Sequence, residues 1–494
     1  MRRSPTRRLQ FESLEKRQFL AGDVNVSVVA GQLFITGDHQ VNDIELTSTG
    51  AAGQFTIKSG TFSATTINGG AGPLTIGGVT SHAFINLGDG NNQLIVNSNP
   101  APISFAGNLR IEMAAGWDSL HVRGANNVSV AGAVEVISGE GVNVLYFERF
   151  HVGGHLTMTL GNSIDDVTLA SGAVGGYVLI NTGAQDDTVY MELAVSGSVF
   201  LNGTGEDELW IADMVTPTVI HGGLFVNMDN AALNLFKLDL RQDLVVHGGG
   251  SVRMGYSDIG GNSEIRLTGR HSTVNLAPIP GAPDVQQFGG DLLVEFGAAG
   301  GALTVEGANL AGDLVVSGGD GVESVNLTNV RVVSSLLIDV KGGNDAVRMQ
   351  TASVLGQAMI LGGAGGDYIS LGVVRGNANF QIDAGAGYDL INFAYSSIGG
   401  TVSVSAGSES DQVTLTVVGG KNLWLNAAAG FDAVKIEYSA FDTLYAQLGD
   451  ANDSLTLRGS LVRIAALLDG GAGGDLFTGS GNLLKGLSRR NFEG

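Results

Sequence analysis

Asp389-Leu390-Ile391-Asn392-Phe393, then Asp411-Gln412-Val413-Thr414-Leu415, then Asp432-Ala433-Val434-Lys435-Ile436: three times in succession an aspartate is followed by apolar side chains two and four residues on, with a polar residue between them. The same arrangement surrounds Asp345, Asp367 and Asp453, and Asp475 keeps its first half with Phe477, so that the aspartates fall 22, 22, 22, 21, 21 and 22 residues apart. Apolar residues alternating with polar ones are the mark of a strand with one face buried. Further apolar residues fall nine and seven positions before several aspartates: Phe380 and Ile382, Val402 and Val404, Leu423 and Leu425. Each repeat therefore reads as a strand, a turn ending in Asp, a second strand and a looser return marked by Gly376-Asn377, Gly399-Gly400 or Gly419-Gly420. One such unit cannot bury its apolar face alone; stacked units can. The fold class predicted is all-β, a parallel β-solenoid with coils of about 22 residues.

Working outward, the pattern loosens without disappearing. Gly301 and Glu323 hold the aspartate position, as do Asn92, Asp118, Asn143, Asp165, Asp187 and Asp207. Between about 228 and 300 the register blurs, and Ala277-Pro278-Ile279-Pro280-Gly281-Ala282-Pro283 is expected to bulge as a loop. About eighteen coils fit between residues 80 and 484, a rod roughly 85 Å long at ~4.8 Å per stacked strand. Residues 23–79 are strand-like but lack the spacing and are read as an N-terminal β cap; residues 485–494 are read as a C-terminal cap or tail. The chain has 76 glycines in 494 residues, about twice the usual ~7%, as stacked turns with positive φ require.

Residues 1–22 differ in kind. Six basic and two acidic groups lie there, leaving 20 basic and 46 acidic groups on the rest of the chain. That acidic body repels nucleic acid and anionic membrane and attracts cations. No cysteine is present, so no disulfide framework exists, and no apolar run is long enough for a transmembrane helix. Phe11-Glu12-Ser13-Leu14-Glu15, Arg17 and Phe19-Leu20-Ala21 resemble the LEPR-XLL-type N-terminal segment of large surface or secreted proteins of planctomycete bacteria. Lys16 stands where that motif has Pro, and Phe19 where it has Leu. The resemblance implies contact with export machinery through residues 1–22 and an extracellular or cell-surface location. It implies no biochemical activity.

The turns Gly362-Gly363-Ala364-Gly365-Gly366-Asp367-Tyr368-Ile369 and Gly470-Gly471-Ala472-Gly473-Gly474-Asp475-Leu476-Phe477 resemble the haemolysin-type (RTX) calcium-binding nonapeptide. Ala384-Gly385-Ala386-Gly387-Tyr388-Asp389 and Gly203-Thr204-Gly205-Glu206-Asp207 match it in part. The family repeats its motif in tandem with shorter coils, whereas one motif per coil occurs here. The resemblance implies Ca²⁺ between coils, with Asp367, Asp389, Asp411, Asp432, Asp453 and Asp475 as metal ligands. The competing reading makes each an outward aspartate that caps its turn through local amides. Stacked in register, these carboxylates would lie about 5 Å apart and repel by roughly 1 kcal/mol per pair in a water-like dielectric. Screening, turn amides or cations must offset that repulsion.

Other chemistry is sparse. His151-Val152-Gly153-Gly154-His155 has the spacing of a zinc motif but lacks its glutamate and its helix. No glycine turn is followed by the Lys-Ser/Thr of a phosphate loop. Trp117, Trp210 and Trp424 are expected outward, a carbohydrate-binding signal if they line a surface. The outward stripe Arg348, Ser370, Asn392, Thr414, Lys435, Thr456, Thr478 is mostly neutral. The function predicted is an exported or cell-surface structural or adhesive solenoid, calcium-associated, without catalysis, contacting a surface, matrix or polysaccharide. The alternative is a polysaccharide-active or carbohydrate-binding parallel β-helix.

Overall fold

A computed structural model describes residues 21–212, 217–269, 272–278 and 285–493. The basic segment through residue 20 and most of the proline-rich loop lie outside the described residues. Among the described residues every regular element is a strand, and the chain winds into a parallel β-solenoid of about eighteen coils.

The alternation read in the sequence sets the inside and outside of each coil. Val413, Leu415, Val434, Ile436, Leu455 and Leu457 are buried, while Thr414, Lys435 and Thr456 point the other way and pair in register across the coils. The strand before the turn behaves alike: Phe380, Val402 and Leu423 stack in register, as do Ile382, Val404 and Leu425. The buried apolar residues form one core running the length of the stack.

Each coil carries a third strand that the alternation does not predict. It runs through the return as short pieces such as Ser353–Val354 and Arg375–Gly376, each paired in parallel with the coils on either side. It delivers one inward residue nine positions after the acidic residue, as with Val332 after Glu323 and Val354, Ile398, Phe441 and Val462 after aspartates. Chain direction changes between the second and third strands at a left-handed residue, recurring at Thr351, Val373, Tyr395, Val417, Tyr438, Gly459 and Gly481 with φ between 49° and 65°. For β-branched Val373 and Val417 that conformation is unfavourable by roughly 1–2 kcal/mol, and the stacked strands on both sides hold it in place.

At the N-terminal end the stack is closed by antiparallel pairing. Asp23–Val29 pairs with Gln32–Thr36, and Phe55–Ser59 lies between Asp43–Ser48 and Leu74–Ile76. Gln32–Thr36 and Asp43–Ser48 also stack in parallel on Ala83–Asn86 and Gln93–Asn97. The chain thus makes a coil-like turn before its hairpin arm doubles back. Ala21 and Gly22 are already tied to Val41. At the other end Leu487–Arg490 continues the winding by pairing with Ala466–Asp469.

Replacing Leu455 by Asp places an unpaired charge in this core and is expected to destabilise the surrounding coils by about 3–5 kcal/mol. Thr456→Asp, on the outward side of the same strand, is expected to leave the thermal melt nearly unchanged. Limited proteolysis and melting curves of the two variants check this.

Candidate functional site

The repeating aspartates are buried and face into the stack. Asp367, Asp389, Asp411, Asp432, Asp453 and Asp475 are each no more than 3% exposed. Their partners are amides of the adjacent coil, so the outward, locally bonded aspartate considered from the sequence does not describe them. The Asp367 amide donates to Asp389 Oδ1 at 2.7 Å, Asp389 to Asp411 at 2.8 Å, Asp411 to Asp432 at 2.8 Å, Asp432 to Asp453 at 2.8 Å and Asp453 to Asp475 at 2.8 Å. A return bond closes each step: the amide after each aspartate donates to the carbonyl of the aspartate one coil earlier, as Leu390 does to Asp367 at 2.8 Å.

Parallel pairing identifies every position on this ladder. The rungs run Asn42, Asn92, Asp118, Asn143, Asp165, Asp187, Asp207, Ala231, Gly250, Ser272, Gly301, Glu323 and Asp345 before the six aspartates above. The sequence places Asn92 through Asp207, Gly301 and Glu323 correctly. It misses Asn42, separated from Asn92 by the hairpin arm, and Ala231, Gly250 and Ser272, which carry no carboxylate and follow at uneven steps. At Gly301 the Phe296 ring fills the space a side chain would take: a Cβ there would lie 2.3 Å from it.

The glycines before the rungs are required by contact between coils. Gly363 and Gly385 have φ of 99° and 104°, and a Cβ on either would come within 2.0 Å of the carbonyl oxygen of the coil below. The conformation and the coil spacing both demand glycine.

Only one oxygen of each carboxylate is satisfied. Oδ2 of Asp118, Asp165, Asp187, Asp207, Asp345 and all six C-terminal aspartates is buried with no hydrogen-bond partner. Burial therefore pushes the acids up, to about 7 at Asp345 and Asp411 and about 6 at Asp389 and Asp432. Neighbouring carboxylates, including Glu409 beside Asp389 and Asp411, push in the same direction, while the donated amide opposes them. Each of these carboxylates thus presents a buried oxygen that calls for a hydrogen or a cation. In the unbroken run from Asp367 to Asp475, a cation would be held by Oδ2 atoms of successive rungs.

The remaining candidates stay apart. His151 is exposed; His155 stacks on Tyr177 at 3.9 Å and accepts the Tyr177 amide through Nδ1. Among the described residues no three His, Asp or Glu side chains gather as metal ligands do. Trp117 is exposed in its turn. Trp424, also exposed, tilts against Tyr445 at 6.1 Å beside a shallow groove with Thr443 and Leu467. Trp210 packs near Phe236 one coil on. No described helix is long and apolar enough to cross a membrane.

Asp432→Ala removes the acceptor of the buried Asp411 amide and is expected to cost about 1–3 kcal/mol. Asp432→Asn keeps an oxygen in place and is expected to cost far less. Melting curves and hydrogen exchange at the Asp411 amide read the difference.

No protein-family model matches this chain, and comparison with curated proteins finds no match, so the reading of the ladder rests on its own geometry.

Proposed function

We propose that the chain is an exported, surface-displayed structural or adhesive rod without catalytic activity. The observation that carries this reading is the orientation of the repeat's most regular residue. The aspartates point into the stack and bind coil to coil, so the acidic repeat serves the rigidity of the rod. The outward stripe from Arg348 to Thr478 is in register and mostly neutral, a surface suited to lateral contact with matrix or polysaccharide. The acidic net charge of −22 favours solubility and disfavours contact with nucleic acid. Export is supported by the basic N-terminal segment and its resemblance to a surface-protein leader. Deleting residues 1–20, which keeps the Ala21 and Gly22 pairing, is expected to leave the melting temperature unchanged and to abolish surface display in the native host. Surface proteolysis of intact cells measures the second effect, and normal display of the truncated chain would overturn the sorting role.

Calcium belongs to this reading as a structural ion of the C-terminal run. The unpartnered Oδ2 atoms of Asp367, Asp389, Asp411, Asp432, Asp453 and Asp475 support it, together with the two complete glycine turns before Asp367 and Asp475. Oxygen-rich turns of this kind suit the larger, more flexible Ca²⁺ better than Mg²⁺. Millimolar Ca²⁺ is then expected to raise the melting temperature more than Mg²⁺ at matched ionic strength, and the Asp367→Ala, Asp389→Ala double variant is expected to lose that difference. Equal melts in Ca²⁺, Mg²⁺ and chelator would remove calcium from the reading.

A further inference from the structure

The N-terminal half of the ladder mixes two residue types at equivalent positions, and the asparagines show what surrounds the second oxygen of the aspartates. Asn92 accepts the Asn42 amide through Oδ1 at 3.0 Å, as every aspartate rung accepts the amide before it. Its Nδ2 donates to two carbonyls of its own turn, Gly88 at 2.9 Å and Gly90 at 3.0 Å. Asn42 does the same to Asp38 and Gln40, and Asn143 to Gly139 and Gly141 at 3.1 and 2.7 Å. In all three the carbonyls belong to the residues four and two positions back. The slot beside Oδ1 is therefore built to receive a hydrogen.

Asp118, Asp165 and Asp187 sit in that same slot. Their Oδ1 atoms accept the amides of Asn92, Asn143 and Asp165, each at 2.8 Å. Each side chain is no more than 2% exposed, and each Oδ2 has no partner. A carboxylate and an amide are close to isosteric, so Oδ2 takes the place of Nδ2. An ionised Oδ2 there would set lone pairs against carbonyl oxygens, out of reach of water. A divalent cation bridging successive rungs is disfavoured around Asp118 and between Asn143 and Asp165, because Asn92 and Asn143 present an N–H donor into the same slot.

We infer that Asp118, Asp165 and Asp187 are proton-binding rungs: each holds a hydrogen on Oδ2 and donates it to one of the two turn carbonyls, four and two residues back, that the asparagines serve with their two N–H groups. For Asp165 these are Gly161 and Ser163, and for Asp187 Gly183 and Gln185. The proton comes from solvent and no other group changes.

The charged surroundings act in the same direction. Asp89 faces Asp118, Glu140 faces Asp165, and Asp165 and Asp207 face Asp187. No cation is among these neighbours. Burial, with these anions, raises the acids to about 6 at Asp118 and Asp165 and about 7 at Asp187, against the donated amides, the side-chain amides of Asn92 and Asn143 and, at Asp187, the Thr182 hydroxyl, which pull the other way. In the unfolded chain they titrate near 3.9. A group raised on folding contributes stability that is complete below its unfolded value and is lost as pH rises through its folded value. The rod should therefore be tighter at pH 5 than at pH 8, the reverse of ordinary acid denaturation.

The test is the full-length Asp165→Asn, Asp187→Asn double variant beside wild type, both in chelator so that calcium plays no part. The variant is expected to melt higher than wild type at pH 8, by a margin that narrows as pH falls to 5, and so to show a shallower dependence of melting temperature on pH. The infrared band of protonated carboxyl groups at pH 5.5 should weaken in the variant. A variant that melts lower than wild type at every pH would overturn the inference. So would wild-type protein with no protonated-carboxyl band at pH 5.5, a measurement that stands even if the variant fails to fold. Calcium stabilisation of wild type that these two substitutions abolish would also overturn it, by assigning the slot to a cation.

Discussion

A backbone amide at the tightest point of every coil has no strand opposite it, and the stack depends on how that amide is satisfied. Strand pairing supplies partners along the three flat faces, but at the turn the chain changes direction and the ladder of carbonyls is interrupted. Burying an unpaired amide there in each of about eighteen coils would cost on the order of 1–3 kcal/mol apiece. The chain answers with a side-chain oxygen from the neighbouring coil, and the return bond through the aspartate carbonyl makes each step double. The spacing near 22 residues follows from this: a rung works only if the next one arrives in register.

The acceptor need not be charged. Asn92 accepts the Asn42 amide as an aspartate would, the Asp118 amide turns to the Val142 carbonyl where Asn143 holds the rung, and the ladder lapses through Ala231, Gly250 and Ser272 while the apolar core continues past them. The hydrophobic stack therefore carries the fold, and the polar ladder sharpens its register. Where carboxylates are used, they bring a buried second oxygen that an asparagine would not. That oxygen is buried and has no hydrogen-bond partner.

The sequence carried most of this architecture because two periods reinforce each other. The alternation in Ile391-Asn392-Phe393 and Val413-Thr414-Leu415 marks strands, and the recurring aspartate marks their repetition. The third strand escaped notice because pieces such as Arg375–Gly376 are too short to alternate. Its one trace is the apolar residue nine positions after the aspartate, as at Val354 and Ile398. The burial of the aspartates was not legible either. A residue type that usually faces water sits beside glycines that usually form exposed turns, and only the packing of one coil on the next reveals that the turn closes inward. In the middle of the chain, Ala231, Gly250 and Ser272 share nothing but position, and position comes from pairing alone.

The ladder also has a direction. Each aspartate rung offers its amide toward the coil that follows it in sequence and its carboxylate toward the coil before. A newly added coil thus completes the amide of its predecessor and leaves its own amide waiting for the next. A chain synthesised from its N-terminus meets this requirement one coil at a time, with its earliest turn already closed by the antiparallel arm. Growth in that order never has more than one open rung. Winding begun in the middle would leave an open amide at one end and an unclaimed carboxylate at the other.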